Sequence, residues 1–197
     1  LLSMPKALNQ AGWVYLFEGA SGGISSDASQ RLEGLSTSSQ FGVSLAVLGD
    51  VNADGYNDAA IGANYSSADS EDVYIHLGGS GGLSTSADTV LSAPSSKSGF
   101  GTTISAAGDV NSDGYNDLIV GAYLASRAYI YLGSSAGMSS SATTTLAGTG
   151  YFGYSLAGVG DVNGDGYDDV AVGQYTYSSN LGQVTVYHGA ATGPSST

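Results

Sequence analysis

The chain has 197 residues, 31 of them glycine, no cysteine, 11% charged residues and a formal net charge of −13. That surplus of negative charge argues against a nucleic-acid or anionic-membrane partner. Without cysteine there is no disulfide framework and no thiol catalysis, and no apolar run approaches the ~18 residues of a membrane span.

Leu1-Leu2 reads as the end of a strand. Val14 to Gly19 alternates apolar and other residues and closes in a Gly-rich turn, which predicts a strand followed by a turn. A short strand follows near Arg31-Leu32-Glu33. Phe41-Gly42 then opens a longer pattern. Val43 to Leu48 reads as a strand, Asp50 to Asp58 as an acidic loop, and Ala59 to Ile61 as an apolar strand running into Gly62-Ala63. An alternating strand at Val73–Gly78 and a short one at Thr89-Val90-Leu91 complete the unit.

The same order recurs twice. Phe100-Gly101 leads to the loop Asp109–Asp117, to Gly121-Ala122, to the strand Ala128–Gly133 and to Thr144-Thr145-Leu146. Phe152-Gly153 leads to the loop Asp161–Asp169, to Gly173 and to the strand Val184–Gly189. The Phe-Gly pairs are 59 and 52 residues apart, and each precedes its loop by nine residues. Each unit therefore holds four short strands. Repetition of four-stranded sheets at a period of roughly 40–50 residues or somewhat more predicts an all-β fold, a β-propeller of four-stranded antiparallel blades. A solenoid is the second architecture, with repeats that are usually shorter.

The three loops carry the chemistry. They read Asp50-Val-Asn52-Ala-Asp54-Gly55-Tyr56-Asn57-Asp58, Asp109-Val-Asn111-Ser-Asp113-Gly114-Tyr115-Asn116-Asp117 and Asp161-Val-Asn163-Gly-Asp165-Gly166-Tyr167-Asp168-Asp169. Side-chain oxygens stand at positions 1, 3, 5 and 9, with glycine at 6. A tight turn makes such positions converge, and the carbonyl of position 7 (Tyr56, Tyr115, Tyr167) can turn inward. That is the array a hard cation takes, and calcium accepts about six to eight oxygens. An EF-hand is the obvious rival, but its loop closes with a glutamate at position 12, where Ile61, Val120 and Val172 stand here. An Asp-Gly hairpin with incidental acids is the other reading. Three copies in one phase favour the cation loop. Asp168, at position 8 where the other loops have Asn57 and Asn116, reads as solvated, with a weak outer-shell charge as the alternative.

The order Phe-Gly, acidic loop, Gly-Ala resembles the FG-GAP repeat of integrin α-subunit propellers and their bacterial relatives. The third letter of Gly-Ala-Pro is replaced here, as in Gly62-Ala63-Asn64, Gly121-Ala122-Tyr123 and Gly173-Gln174-Tyr175. The resemblance implies a calcium site in each acidic loop, on a propeller commonly of seven blades. It also implies an extracellular or cell-surface module for adhesion or for recognition of protein or glycan. On that frame residues 1–40 are the end of a first blade, and 41–99, 100–151 and 152–197 are three loop-bearing blades, the last without its fourth strand. About three and a half blades of a larger ring are expected, completed by blades from the same protein or a partner chain. Alternative readings are an accessory propeller of a secreted hydrolase and a structural subunit of a surface filament or layer.

No catalytic constellation emerges, and the chain reads as a non-enzyme. Gly-x-Ser-x-Gly occurs at Gly19–Gly23, Gly78–Gly82 and Gly133–Gly137, but it recurs in register without a following helix, and Ala191 replaces the serine in a fourth copy. His76 and His188 stand where other repeats carry Phe17 or Leu132, as strand residues rather than bases. Trp13, Tyr15 and Phe17 share a strand face and read as packing residues. Leu16, Ile75, Ile130 and Val186 are expected in the interior, with Phe41, Phe100 and Phe152 at equivalent places. Asn64-Tyr65-Ser66 is a glycosylation sequon.

Overall fold

The computed structural model describes residues 1–64, 71–176, 178 and 181–194. Tyr65 and Ser66 of the sequon lie outside them. The fold is all-β. Sheet I consists of β1 (Leu2–Met4), β2 (Trp13–Leu16) and β5 (Gln30–Glu33), with a one-turn helix α1 (Ala7–Gln10) between its first two strands. A small hairpin of β3 (Gly19–Ala20) and β4 (Gly23–Ile24) carries the first Gly-x-Ser-x-Gly segment. Sheet II is β6 (Ser44–Gly49), β7 (Asp58–Asn64), β8 (Glu71–His76) and β9 (Thr89–Ser92). Sheet III is β10 (Phe100–Gly108), β11 (Asp117–Ala122), β12 (Arg127–Tyr131) and β13 (Thr144–Ala147). Sheet IV is β14 (Phe152–Gly160), β15 (Asp169–Gln174) and β16 (Gln183–Tyr187).

Within each sheet the strands run antiparallel in chain order, the up-and-down meander of a propeller blade. The second strand of sheets II and III is apolar on both faces, because another sheet covers each side. Thus Ala60, Ile61, Leu118, Ile119 and Val120 are fully buried. The sheets stack through three clusters. Val14, Leu32, Phe41 and Ile61 join sheets I and II. Ile75, Leu91, Phe100, Val120 and Tyr129 join II and III. Ile119, Ile130, Leu146, Phe152 and Val172 join III and IV. Phe41, Phe100 and Phe152 are each at least 96% buried and occupy equivalent places, with Tyr74, Tyr129 and Tyr187 edge-on to them.

The glycines of the repeat are explained by how closely neighbouring sheets approach. A Cβ on Gly62 would lie 2.2 Å from the Gly101 carbonyl oxygen, and one on Gly121 would lie 2.3 Å from that of Gly153. The same carbonyls accept the hydroxyls of Ser44 and Thr103, at 2.6 and 2.9 Å. Phe-Gly of one repeat thus docks on the Gly-Ala of the repeat before it, backbone against backbone.

Two interior expectations need correction. Ile75 and Ile130 are fully buried, but Leu16 is only half-buried and Val186 is 44% exposed. Val186 and Val184 point away from sheet III, toward a face of sheet IV that no described residue covers, whereas Ile75 and Ile130 point at the following sheet.

Candidate metal centre

Each acidic loop joins the first strand of its sheet to the second. A bulge precedes it: the register slips between Val47 and Gly49, Ala106 and Gly108, and Gly158 and Gly160. The extra residue turns the strand into the loop. Glycine at position 6 adopts the left-handed region, with φ of 91°, 90° and 92° at Gly55, Gly114 and Gly166. Position 4 is left-handed too, at Ala53, Ser112 and Gly164, which the sequence pattern does not announce because alanine and serine stand there. Such a residue costs about 1–2 kcal/mol with a side chain attached, and the loop's hydrogen bonds must offset it.

Those bonds are the same in all three loops. The position-1 carboxylate gathers backbone N–H groups: Asp50 accepts from Asp54 at 3.1 Å and Gly55 at 2.7 Å, Asp109 from Asp113 and Gly114, and Asp161 from Asp165 and Gly166. Position 3 donates its amide to position 5, as Asn52 does to Asp54, Asn111 to Asp113 and Asn163 to Asp165. Position 5 accepts the N–H of position 7.

Position 9 does something the spacing alone does not reveal. Asp58, Asp117 and Asp169 are at most 1% exposed. One oxygen accepts the N–H of loop position 2 (Val51, Val110, Val162) at 2.8–2.9 Å. The other accepts the N–H of the glycine ending the third strand (Gly78, Gly133, Gly189) at 2.7–2.9 Å. This carboxylate therefore pins the loop to the sheet, and glycine follows each third strand because a Cβ there would lie 2.4 Å from the position-8 carbonyl oxygen of Asn57, Asn116 or Asp168. Asp169 is also approached by His188 Nδ1 at 3.3 Å.

The electrostatics follow from those surroundings. Burial pushes Asp117 up to about 7, against the opposing bonds from Gly133 and Val110, and the negative charges of Asp113 and Asp109 add to the rise. Asp58 is raised for the same first reason. At Asp169 burial also works upward, but the bonds from Gly189 and Val162 and the neighbouring His188 leave it below the usual range. Asp161 is held low chiefly by the Gly166 N–H. At Asp50 desolvation works upward and is outweighed by the N–H groups of Gly55, Asp54 and Asn52.

Among the described residues no three acidic or histidine side chains are drawn together into a closed cage. The carboxylates are spread around the turn by the N–H groups they accept. Each carboxylate oxygen has about two acceptor sites, so these bonds leave lone pairs for an ion. Among the loop atoms described, Asn111 Oδ1, at position 3 of the second loop, is buried with no hydrogen-bond donor, whereas Asn52 Oδ1 and Asn163 Oδ1 accept the N–H of Asp54 and Asp165. An orphaned buried acceptor among carboxylates fits a cation ligand, since such an atom is otherwise costly. Asp168 is half-buried rather than free in solvent. Its Oδ2 accepts the Asp109 N–H at 2.9 Å.

Comparison with known proteins agrees with this architecture. The FG-GAP repeat profile matches residues 41–76, and an FG-GAP-like repeat profile matches 109–172. The chain carries FG-GAP repeats and has their β-propeller fold. It is similar to integrin alpha-IIb of Mus musculus (42% identical over 129 residues, 64% of this chain and 12% of that protein). It is similar also to integrin alpha-6 of Homo sapiens (38% over 156 residues, 76% and 14%) and of Gallus gallus (34% over 187 residues, 90% and 17%). The chain thus spans less than a fifth of the length of these relatives.

Proposed function

We propose that the chain is a calcium-binding propeller module for adhesion, non-enzymatic, working outside the cell or at its surface. The first ion would be held by Asp50, Asn52, Asp54, Asp58 and the Tyr56 carbonyl. Asp109, Asn111, Asp113, Asp117 and the Tyr115 carbonyl would hold the second, and Asp161, Asn163, Asp165, Asp169 and the Tyr167 carbonyl the third. The observation that carries this reading is the buried, partnerless Asn111 Oδ1 at a ligand position. The donor set is all oxygen, which suits calcium over the smaller and geometrically more demanding magnesium. A bound ion supplies positive charge that neutralises the loop carboxylates. The protein's own part is to gather them and to anchor the loop through the position-9 aspartate.

Similarity to integrin α chains supports the adhesion reading, with a protein or glycan as ligand. Further blades, from the same protein or a partner chain, would abut the uncovered face of sheet IV. Among the described residues no helix is long and apolar enough to cross a membrane. Calorimetric titration with calcium and with magnesium tests the sites: three calcium ions are expected, and no uptake in folded protein would refute the reading. Binding to immobilised matrix proteins and glycans, with calcium and with chelator, tests the role. Binding that survives chelation unchanged would separate adhesion from the ions.

A further inference from the structure

The loops are bonded to one another as well as to their own sheets. Asn116, at position 8 of the second loop, donates its backbone N–H and its side-chain Nδ2 to the Asp50 carbonyl, at 3.2 and 3.3 Å. Asp168, at position 8 of the third loop, donates its backbone N–H to the Asp109 carbonyl at 3.1 Å and accepts the Asp109 N–H at 2.9 Å. Alongside, the N–H groups of Ser134 and Ala190 reach the carbonyls of Val51 and Val110, at 3.1 and 3.0 Å. Position 8 of each following repeat therefore grips position 1 of the loop before it. Asparagine does so as a side-chain donor to C=O, and aspartate as an acceptor from N–H.

The grip adds to the left-handed backbone, with φ of 79° and 78° at Gly49 and Gly108, in keeping glycine before the loop. A Cβ on Gly49 would lie 2.4 Å from Asn116 Nδ2, and one on Gly108 would lie 2.1 Å from Asp168 Oδ2. The equivalent Gly160 has open space, and no described residue grips the third loop. Val51 and Val110 are fully buried beneath the clasp, whereas Val162 is 57% exposed.

Position 8 stands between positions 7 and 9, both ligands in the proposed sites, and this step rests on that reading. An ion that fixes Tyr115 and Asp117 fixes Asn116 between them, and one that fixes Tyr167 and Asp169 fixes Asp168. The fixed residue holds the position-1 aspartate of the neighbouring loop, ordering it before its own ion arrives. We propose that Asn116 and Asp168 are positioning residues that couple adjacent metal loops, so that filling one loop tightens the loop of the repeat before it. Linkage makes the coupling reciprocal.

The test follows the amides of Gly55, Gly114 and Gly166, one per loop, by NMR during calcium titration of the whole chain. Asp168→Ala should raise the calcium midpoint at Gly114 about tenfold, the scale of a lost outer-shell partner, and leave Gly55 near its wild-type value. Asp168→Asn keeps an acceptor for the Asp109 N–H and should restore most of the loss. Asp165→Ala, which empties the third loop without touching the second, should also raise the Gly114 midpoint. Without calcium, Asp168→Ala should speed hydrogen exchange at the Asp109 amide. Three responsive glycines with Gly114 unmoved in both alanine variants would overturn the coupling alone. Silence of all three in folded wild type would overturn the metal reading and the coupling with it.

Discussion

Replacing Glu71 by alanine should remove about 3–5 kcal/mol of stability, because several buried donors lose their shared acceptor. Glu71 opens β8 and is 5% exposed. Its carboxylate accepts four bonds from the segment leading into β10: Ser98 N–H at 3.0 Å, Ser98 Oγ–H at 2.6 Å, Gly99 N–H at 3.0 Å and Phe100 N–H at 3.2 Å. Three backbone donors and a hydroxyl are thus satisfied by one side chain, just where the chain crosses from sheet II to sheet III. Phe100, the next anchor of the core, is fully buried. Phe100 N–H keeps Ser98 Oγ as an acceptor at 3.3 Å, while each donor left buried and unpaired costs about 1–3 kcal/mol, with some relief from entering water. The total is a large part of an ordinary stability of about 5–15 kcal/mol. Urea unfolding should show the loss in the midpoint, and melting should fall by about 10 °C for a chain of this size. Ser98→Ala should remove about 1–2 kcal/mol alone and much less in the Glu71→Ala background, since the hydroxyl then has lost its acceptor. A Glu71→Ala loss below about 1 kcal/mol would refute the reasoning, as would full additivity of the two changes.

Other outcomes follow from the same geometry. Gly121→Ala drives a Cβ into the Gly153 carbonyl and should destabilise by several kcal/mol, whereas Gly160→Ala, with open space around it, should lose only about 1–2 kcal/mol from its left-handed backbone; equal losses in urea unfolding would contradict the close-approach account. With dissociation constants near 10⁻⁴ M and calcium near 1 mM, each proposed site adds about 1.4 kcal/mol by linkage, so excess chelator should lower the melting temperature, and an unchanged curve would show loops that fold without metal. Burial holds His76 below its ordinary pKa, against the Ser84 carbonyl that its Nδ1 meets at 2.8 Å and the charge of Asp88. Its unfolded form therefore takes up a proton first, so its contribution is intact above about pH 6.5 and is lost as pH falls through that value toward the folded pKa. His76→Phe, the residue at the equivalent Phe17, should flatten that part of the stability–pH curve between pH 7.5 and 5, and a difference curve without slope would remove His76 from the acid response.

Chain order, the strands of the four sheets and the three loops were legible in the sequence, because each rests on local rules, whereas the small β3–β4 hairpin stands where only a turn was expected. Period-two alternation marks a strand wherever one face is buried, and Asp-x-Asn-x-Asp-Gly imposes its turn through bonds spanning only a few residues. The anchoring Phe41, Phe100 and Phe152 were legible for a related reason: their recurrence at a fixed distance from the loops marks a repeated place in the core. What the tertiary structure decided is whatever depends on the neighbouring repeat. Asp168 reads as a solvated acid in its own loop, yet it grips Asp109 of another. Val186 matches Ile130 in pattern, but among the described residues only Ile130 has a sheet packed against it. Glu71 has no counterpart in the other repeats, and its partners lie 27 to 29 residues further on. The position-9 aspartates announce themselves as ligands, while their bonds to the third-strand glycines appear only once the sheet closes over them. A sequence repeat specifies the blade. The contacts between blades depend on which side chain meets which backbone after stacking, and that is set by the geometry of two repeats together.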